Sequence, residues 1–185
     1  KLDLAIVNYK KVIAINPDHA DAHNNLGNCL QMQGKLDLAS ENYQKAIMID
    51  RNHVTAYYNL GNIWNSKRQF DRAISYYKKT LEYKFTHFDS YLNLGNVWRQ
   101  KGEYETAIVN YLEALKIKPD SPDSHNNLGA AYKETGNLAL ALSHYERALE
   151  INYGTDLYRV QVIYLRAMMC DWSDYDESLD VISSL

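Results

Sequence analysis

The 185-residue sequence predicts an all-α fold, a solenoid of antiparallel helix pairs, and three observations carry that prediction. Gly27, Gly61, Gly95 and Gly129 recur every 34 residues, each inside an Asn-Leu-Gly tripeptide opened by Asn25, Asn59, Asn93 and Asn127. Ala5, Ala39, Ala73, Ala107 and Ala141 hold a second phase of the same lattice, and Tyr9, Tyr43, Tyr77, Tyr111 and Tyr145 a third. Within each period the apolar residues form two separate runs with helical spacing, so each period encodes two helices.

The elements follow in order. Residues 1–19 are expected to be helix B of a truncated repeat, helical over Leu2–Ile15. Such a helix leaves an apolar face bare, which predicts further repeats upstream. Full repeats are expected at 20–53, 54–87, 88–121 and 122–155. In the first of these, helix A covers roughly 20–33 with Leu26 and Leu30 on one stripe. Helix B covers roughly 37–50 with Ala39, Tyr43, Ala46 and Ile47 on another. A glycine inside a helix costs about 1 kcal/mol relative to alanine, so four at one phase imply close approach. Gly27 and Ala39 mark where the two axes come nearest, with Tyr43 filling the adjoining space. Gly34, Gly102 and Gly136 fall at the turn between the helices, where a positive φ is needed, and Arg68 takes the remaining slot. Pro17 and Pro119 punctuate the turns between repeats.

Residues 156–185 keep the lattice and lose its residues, and are read as a degenerate fifth repeat. Gln161, Val162 and Ile163 replace Asn-Leu-Gly, Cys170 replaces the turn glycine, and Tyr175 takes the alanine slot. Segment 157–169 is apolar on several faces, as expected of a helix that docks onto another domain or that thickens the local core.

Composition excludes several function classes. The 20 basic and 23 acidic residues are well mixed and leave a net charge of −3, so no basic stripe exists for phosphates or anionic lipid. Nucleic acid and membrane are therefore not expected as partners. Cys29 and Cys170 are too few for a disulfide framework, and no Asn-x-Ser/Thr acceptor occurs, which suits a cytoplasmic and/or nuclear protein. No apolar run is long enough to span a bilayer.

No phosphate loop, His-Glu-x-x-His, Cys-x-x-Cys or Gly-x-Ser-x-Gly occurs, so the chain is expected to hold no catalytic residue, metal site or cofactor. His19 and His23 read as a loop histidine and a packing histidine, and His125 repeats the phase of His23. Asp171, Asp174, Asp176 and Glu177, around Trp172 and Tyr175, read as the solvated first turn of a helix.

The candidate site is a ladder of asparagines. Asn25, Asn59, Asn93 and Asn127 share one phase of helix A, and Asn28, Asn62 and Asn96 share a second, one turn on, that stops at Ala130. Helix A surfaces line the concave side of such a solenoid. Asparagine is a mediocre helix former, so seven at two inward phases require a reason. An amide both donates and accepts, and so matches the N–H and C=O of a peptide backbone. Helices about 8–10 Å apart would present one rung to roughly every third residue of an extended chain. The same amides are equally suited to bridging adjacent repeats by hydrogen bonds. Asp21, Asp89 and Asp123 are candidate acidic contacts at the groove mouth, and N-capping is a second account of them.

The lattice of Leu, Gly, aromatic, Ala, aromatic and Ala, with proline near the repeat end, resembles the tetratricopeptide repeat from Leu2 onward, and this resemblance implies a right-handed superhelical winding of the solenoid. Within that superfamily, Asn-Leu-Gly-Asn at 25–28, 59–62 and 93–96 is similar to the asparagine ladder of the O-linked N-acetylglucosamine transferases. The run from Met169 through Cys170, Asp171 and Trp172 to Glu177 is similar to the Cys-Asp-Trp-x-Asp-Tyr-Asp junction of the same family. This resemblance implies repeats that present extended protein segments to a C-terminal catalytic domain of the same chain. It implies a UDP-sugar donor for that domain alone. Gln161, Val162 and Ile163 depart from the family's ladder. Two rival readings are a free-standing adaptor or co-chaperone and an assembly scaffold. A co-chaperone clamp needs cations at groove phases that here hold Asn24, Tyr58, Leu92 and Asn126.

Overall fold

A computed structural model describes residues 1–169; Cys170 and the acidic segment around Trp172 and Tyr175 lie outside the described residues. Among the described residues there are ten α-helices and no strand. They are α1 (Leu2–Ile15), α2 (Ala20–Met32), α3 (Leu36–Ile49), α4 (Val54–Ser66), α5 (Phe70–Tyr83), α6 (Phe88–Gln100), α7 (Tyr104–Ile117), α8 (Pro122–Glu134), α9 (Leu138–Ile151) and α10 (Asp156–Met168). The all-α class is as the lattice predicts. The chain forms two compact units, Lys1–Asn93 and Leu94 onward, with the boundary inside α6.

The turn inside each pair is built by backbone alone. Gly34 N–H bonds the Gln31 carbonyl and Lys35 N–H the Leu30 carbonyl, both at 2.9 Å, closing the last turn of α2 as a Schellman motif. That closure requires a left-handed residue, and Gly34 supplies it at φ +75°. Arg68 occupies the same position after α4 at φ 57°, with the same pair of bonds from Arg68 and Gln69 to Asn65 and Trp64. The backbone demands the conformation even where the side chain resists it.

Packing inside each pair depends on the second glycine phase. A Cβ placed on Gly27 would lie 2.6 Å from the Tyr43 ring, and one on Gly61 would lie 2.5 Å from Tyr77. On Gly129 it would meet both the Tyr145 ring and, at 3.0 Å, the Ala141 carbonyl oxygen. The bare glycine face is thus where the tyrosine ring lies, and Tyr43, Tyr77 and Tyr111 are wholly buried. In the first unit Leu26, Leu30, Ala39, Tyr43, Ala46, Ala56, Leu60 and Ile63 form one continuous core. In the second, Ala141 and Tyr145 pack with Val162 and Leu165 of α10.

Candidate functional site

Asn25 and Asn28 lie on α2, Asn59 and Asn62 on α4, and Asn93 on the part of α6 within the first unit. All five are partly exposed. Asn59 Nδ2 donates to Asn28 Oδ1 at 2.9 Å and to Asn24 Oδ1 at 3.2 Å. Asn93 Nδ2 repeats this one period later, donating to Asn62 Oδ1 at 3.1 Å and to the Tyr58 hydroxyl at 3.2 Å. In the second unit Asn127 Nδ2 donates to Asn96 Oδ1 at 3.1 Å.

Each second-row carbonyl accepts once more, from the core tyrosine of its own repeat. Tyr43 donates to Asn28 at 2.8 Å, Tyr77 to Asn62 at 2.8 Å, and Tyr111 to Asn96 at 2.9 Å. Burial pushes the hydroxyls of all three tyrosines above the usual tyrosine range, so they remain donors at any physiological pH. An amide carbonyl has two lone pairs, and here both are used. The asparagines therefore bridge successive repeats, and they do so with half of each amide. Asn59 and Asn93 keep an Oδ1, and Asn28 an Nδ2, without a partner among the described residues, while the Asn62 Nδ2 turns one of its two N–H groups toward the Tyr58 hydroxyl and keeps the other.

The pattern breaks in the second unit. Ala130 ends the second row, and Gln161 stands where the next first-row asparagine would be. Asn126, at the position of Asn24, consequently has a buried Oδ1 with no partner.

The acidic residues are not helix caps. Each is the second residue of its helix, whereas a cap must precede the first. The capping side chains are those of His19, His53 and Ser121, which accept from the N–H groups of Ala22, Ala56 and Ser124. His19 and His53 share a 34-residue phase, which is the sequence signal for this cap. Asp21 instead accepts from His53 Nε2 at 3.1 Å, and Asp123 from the Tyr158 hydroxyl at 2.8 Å. Burial and then the Asp123 carboxylate push the Tyr158 hydroxyl up to about 12. Asp89 lies near Tyr58 and helps to raise it, after burial.

His23 is buried, its Nε2 against the Pro17 carbonyl at 3.1 Å and its Nδ1 against Asn42 at 3.2 Å. His125 repeats this with Pro119 at 2.9 Å and with His144 at 3.0 Å. Sequence reasoning also passed over Arg99 and Lys133, which share a helix A phase with Gln31 and Asn65. In α10, Tyr158, Val162 and Leu165 are buried, while Leu157, Tyr164 and Met168 are about half exposed. No helix among the described residues is long and apolar enough to cross a membrane.

A profile described as TPR repeat matches residues 1–34 and 95–136. Two described as tetratricopeptide repeat match residues 20–53 and 122–152, and residues 54–87. No curated protein sequence matches the chain. A crystal structure of MamA is 28% identical with TM-score 0.77, covering 82% of this chain and 89% of its own. The crystal structure of YrrB, described as a TPR protein with an unusual peptide-binding site, is 24% identical with TM-score 0.79, covering 94% of this chain and 89% of its own. PilF from Pseudomonas aeruginosa is 19% identical with TM-score 0.85, covering 97% of this chain and 81% of its own. At those identities the last two show likeness of fold alone. Profile matches and folding pattern agree, and the chain belongs to the tetratricopeptide repeat family, whose helix-pair arrays are protein-interaction modules.

Proposed function

We propose that the asparagine face of helix A binds extended polypeptide through its backbone. We further propose that the chain is the substrate-recognition arm of an intracellular protein O-linked N-acetylglucosamine transferase or a related sugar transferase. The observation that carries the first part is the half-used amide. Held in place by its rung, each of Asn28 and Asn62 offers a donor, and each of Asn59 and Asn93 an acceptor, to whatever lies against the face. Backbone offers the complementary acceptor and donor at every residue, so this recognition is indifferent to side chains. Rigid, pre-oriented groups lose little entropy on binding. In support of the second part stand the Asn-Leu-Gly-Asn repeats and the Cys-Asp-Trp junction sequence. The half-exposed apolar residues of α10 also fit a helix that docks onto a following catalytic domain. A free-standing adaptor would use the same face.

Alanine in the ladder would break the rungs as well as the binding groups. Aspartate is the better probe at Asn28 and Asn62, because it keeps the carbonyl-side acceptor for tyrosine and asparagine while replacing the outward donor. Asn28→Asp combined with Asn62→Asp should retain helicity and weaken unrelated unstructured peptides alike, by about tenfold or more for two lost hydrogen bonds. Fluorescence anisotropy with several labelled peptides measures this. Unchanged affinity for every peptide would sink the proposal.

A further inference from the structure

We infer that the asparagine face of the second unit, unlike that of the first, seats an acidic side chain of the bound segment. The inference rests on the backbone-binding reading above and adds a side-chain class to it. One helical turn past the second asparagine row, helix A carries Gln31, Asn65, Arg99 and Lys133 at the 34-residue spacing. This position faces the tyrosine hydroxyls: the Gln31 side-chain amide lies 2.8 Å from the Tyr43 hydroxyl. Arg99 stands likewise against the Tyr111 hydroxyl, and its charge also reaches Tyr145 of the following repeat. Lys133 Nζ lies 5.6 Å from the centre of the Tyr164 ring. Tyr164 holds the second-row position on α10 and is 52% exposed. Both cations are thus partly buried on the asparagine side of the second unit.

Neither is paired with a carboxylate among the described residues, whose ion pairs lie elsewhere. Arg99 Nε is buried with no acceptor. Among the acids of this unit, Asp123 is engaged by Tyr158, and Glu134 bears on Tyr145 without pairing to either cation. Asn96, whose Oδ1 is taken by Tyr111 and Asn127, leaves an Nδ2 on the same face. A planar guanidinium, an ammonium and an amide donor, partly withdrawn from water and lacking an anion, form a site for a carboxylate. In the first unit the same phase holds the neutral Gln31 and Asn65, so no charge preference arises there.

The test compares two fluorescent unstructured peptides with amidated C-termini, identical except that one carries Glu at every third position and the other Gln. The Glu peptide should bind the 185-residue chain about tenfold more tightly. Raising the salt concentration should narrow the difference. Arg99→Gln combined with Lys133→Gln, which installs neutral amides as in the first unit, should bring the Glu peptide down to the Gln peptide and leave the latter unchanged. Equal affinity of the two peptides for the parent chain overturns the inference, as does a Glu preference that survives in the variant. Tight and equal binding would leave the backbone reading standing, whereas binding of neither peptide would overturn both. The parent-chain comparison decides the matter even if the double variant fails to fold.

Discussion

Replacing Asn62 with alanine separates a bridging role of the ladder from a purely ligand-binding one by the sign of its effect. A residue that serves only an external ligand would stabilise the free chain on replacement, because alanine is the better helix former by up to about 0.7 kcal/mol. Asn62 Oδ1, however, accepts from Tyr77 at 2.8 Å and from Asn93 at 3.1 Å. Tyr77 is wholly buried, and a buried donor left without its acceptor costs about 1–3 kcal/mol. Asn93 loses less, since it keeps the Tyr58 hydroxyl at 3.2 Å. Neighbouring Asn65 and Asn93 amides can take up part of the freed hydroxyl, so the net loss should fall at about 1–2 kcal/mol. For a chain of this size that lowers Tm by roughly 2–8 °C in a thermal melt followed by circular dichroism.

Tyr77→Phe provides the matching single variant, and its combination with Asn62→Ala completes a double-mutant cycle. With the hydroxyl gone, Asn62→Ala strands nothing buried, so the double variant should be more stable than the sum of the singles implies by about 1 kcal/mol. A Tm that rises in Asn62→Ala, or effects that add within about 0.3 kcal/mol, would refute the bridging role.

Two further outcomes follow from local geometry. Arg68 sits at φ 57° in a turn whose counterparts are glycine, and Arg68→Gly should relieve about 1–2 kcal/mol of left-handed strain. Loss of its stacking over Phe70 and the added freedom of the unfolded chain offset part of this, leaving a net gain of up to about 1 kcal/mol, and a lowered Tm would contradict it. Burial, and then the neighbouring His125, lower the pKa of His144 in the folded chain. The unfolded chain therefore takes up a proton first, and stability present above about pH 6.5 is lost as the pH falls toward the folded value. His144→Asn, which recreates the His23 and Asn42 pairing of the first full repeat, should flatten that pH dependence in urea melts. An unchanged slope would show that His144 is not its source.

The sequence alone determined the helices, because burial repeats with a period that only stacked helix pairs satisfy. Gly27 with Tyr43, and Gly34 in its left-handed turn, were legible as residue types whose local demands admit few solutions. The ladder was legible as a set of residues and not as a set of bonds. Asparagine carries a donor and an acceptor, and nothing in one dimension says which of them is consumed by a neighbour. Only the tertiary structure, by bringing Asn62, Tyr77 and Asn93 from three helices to one point, decided that one half of each amide builds the scaffold. It also decided that Asp21 and Asp123 face partners in the next repeat, since a cap and a first-turn residue differ by a single position that helix spacing cannot resolve.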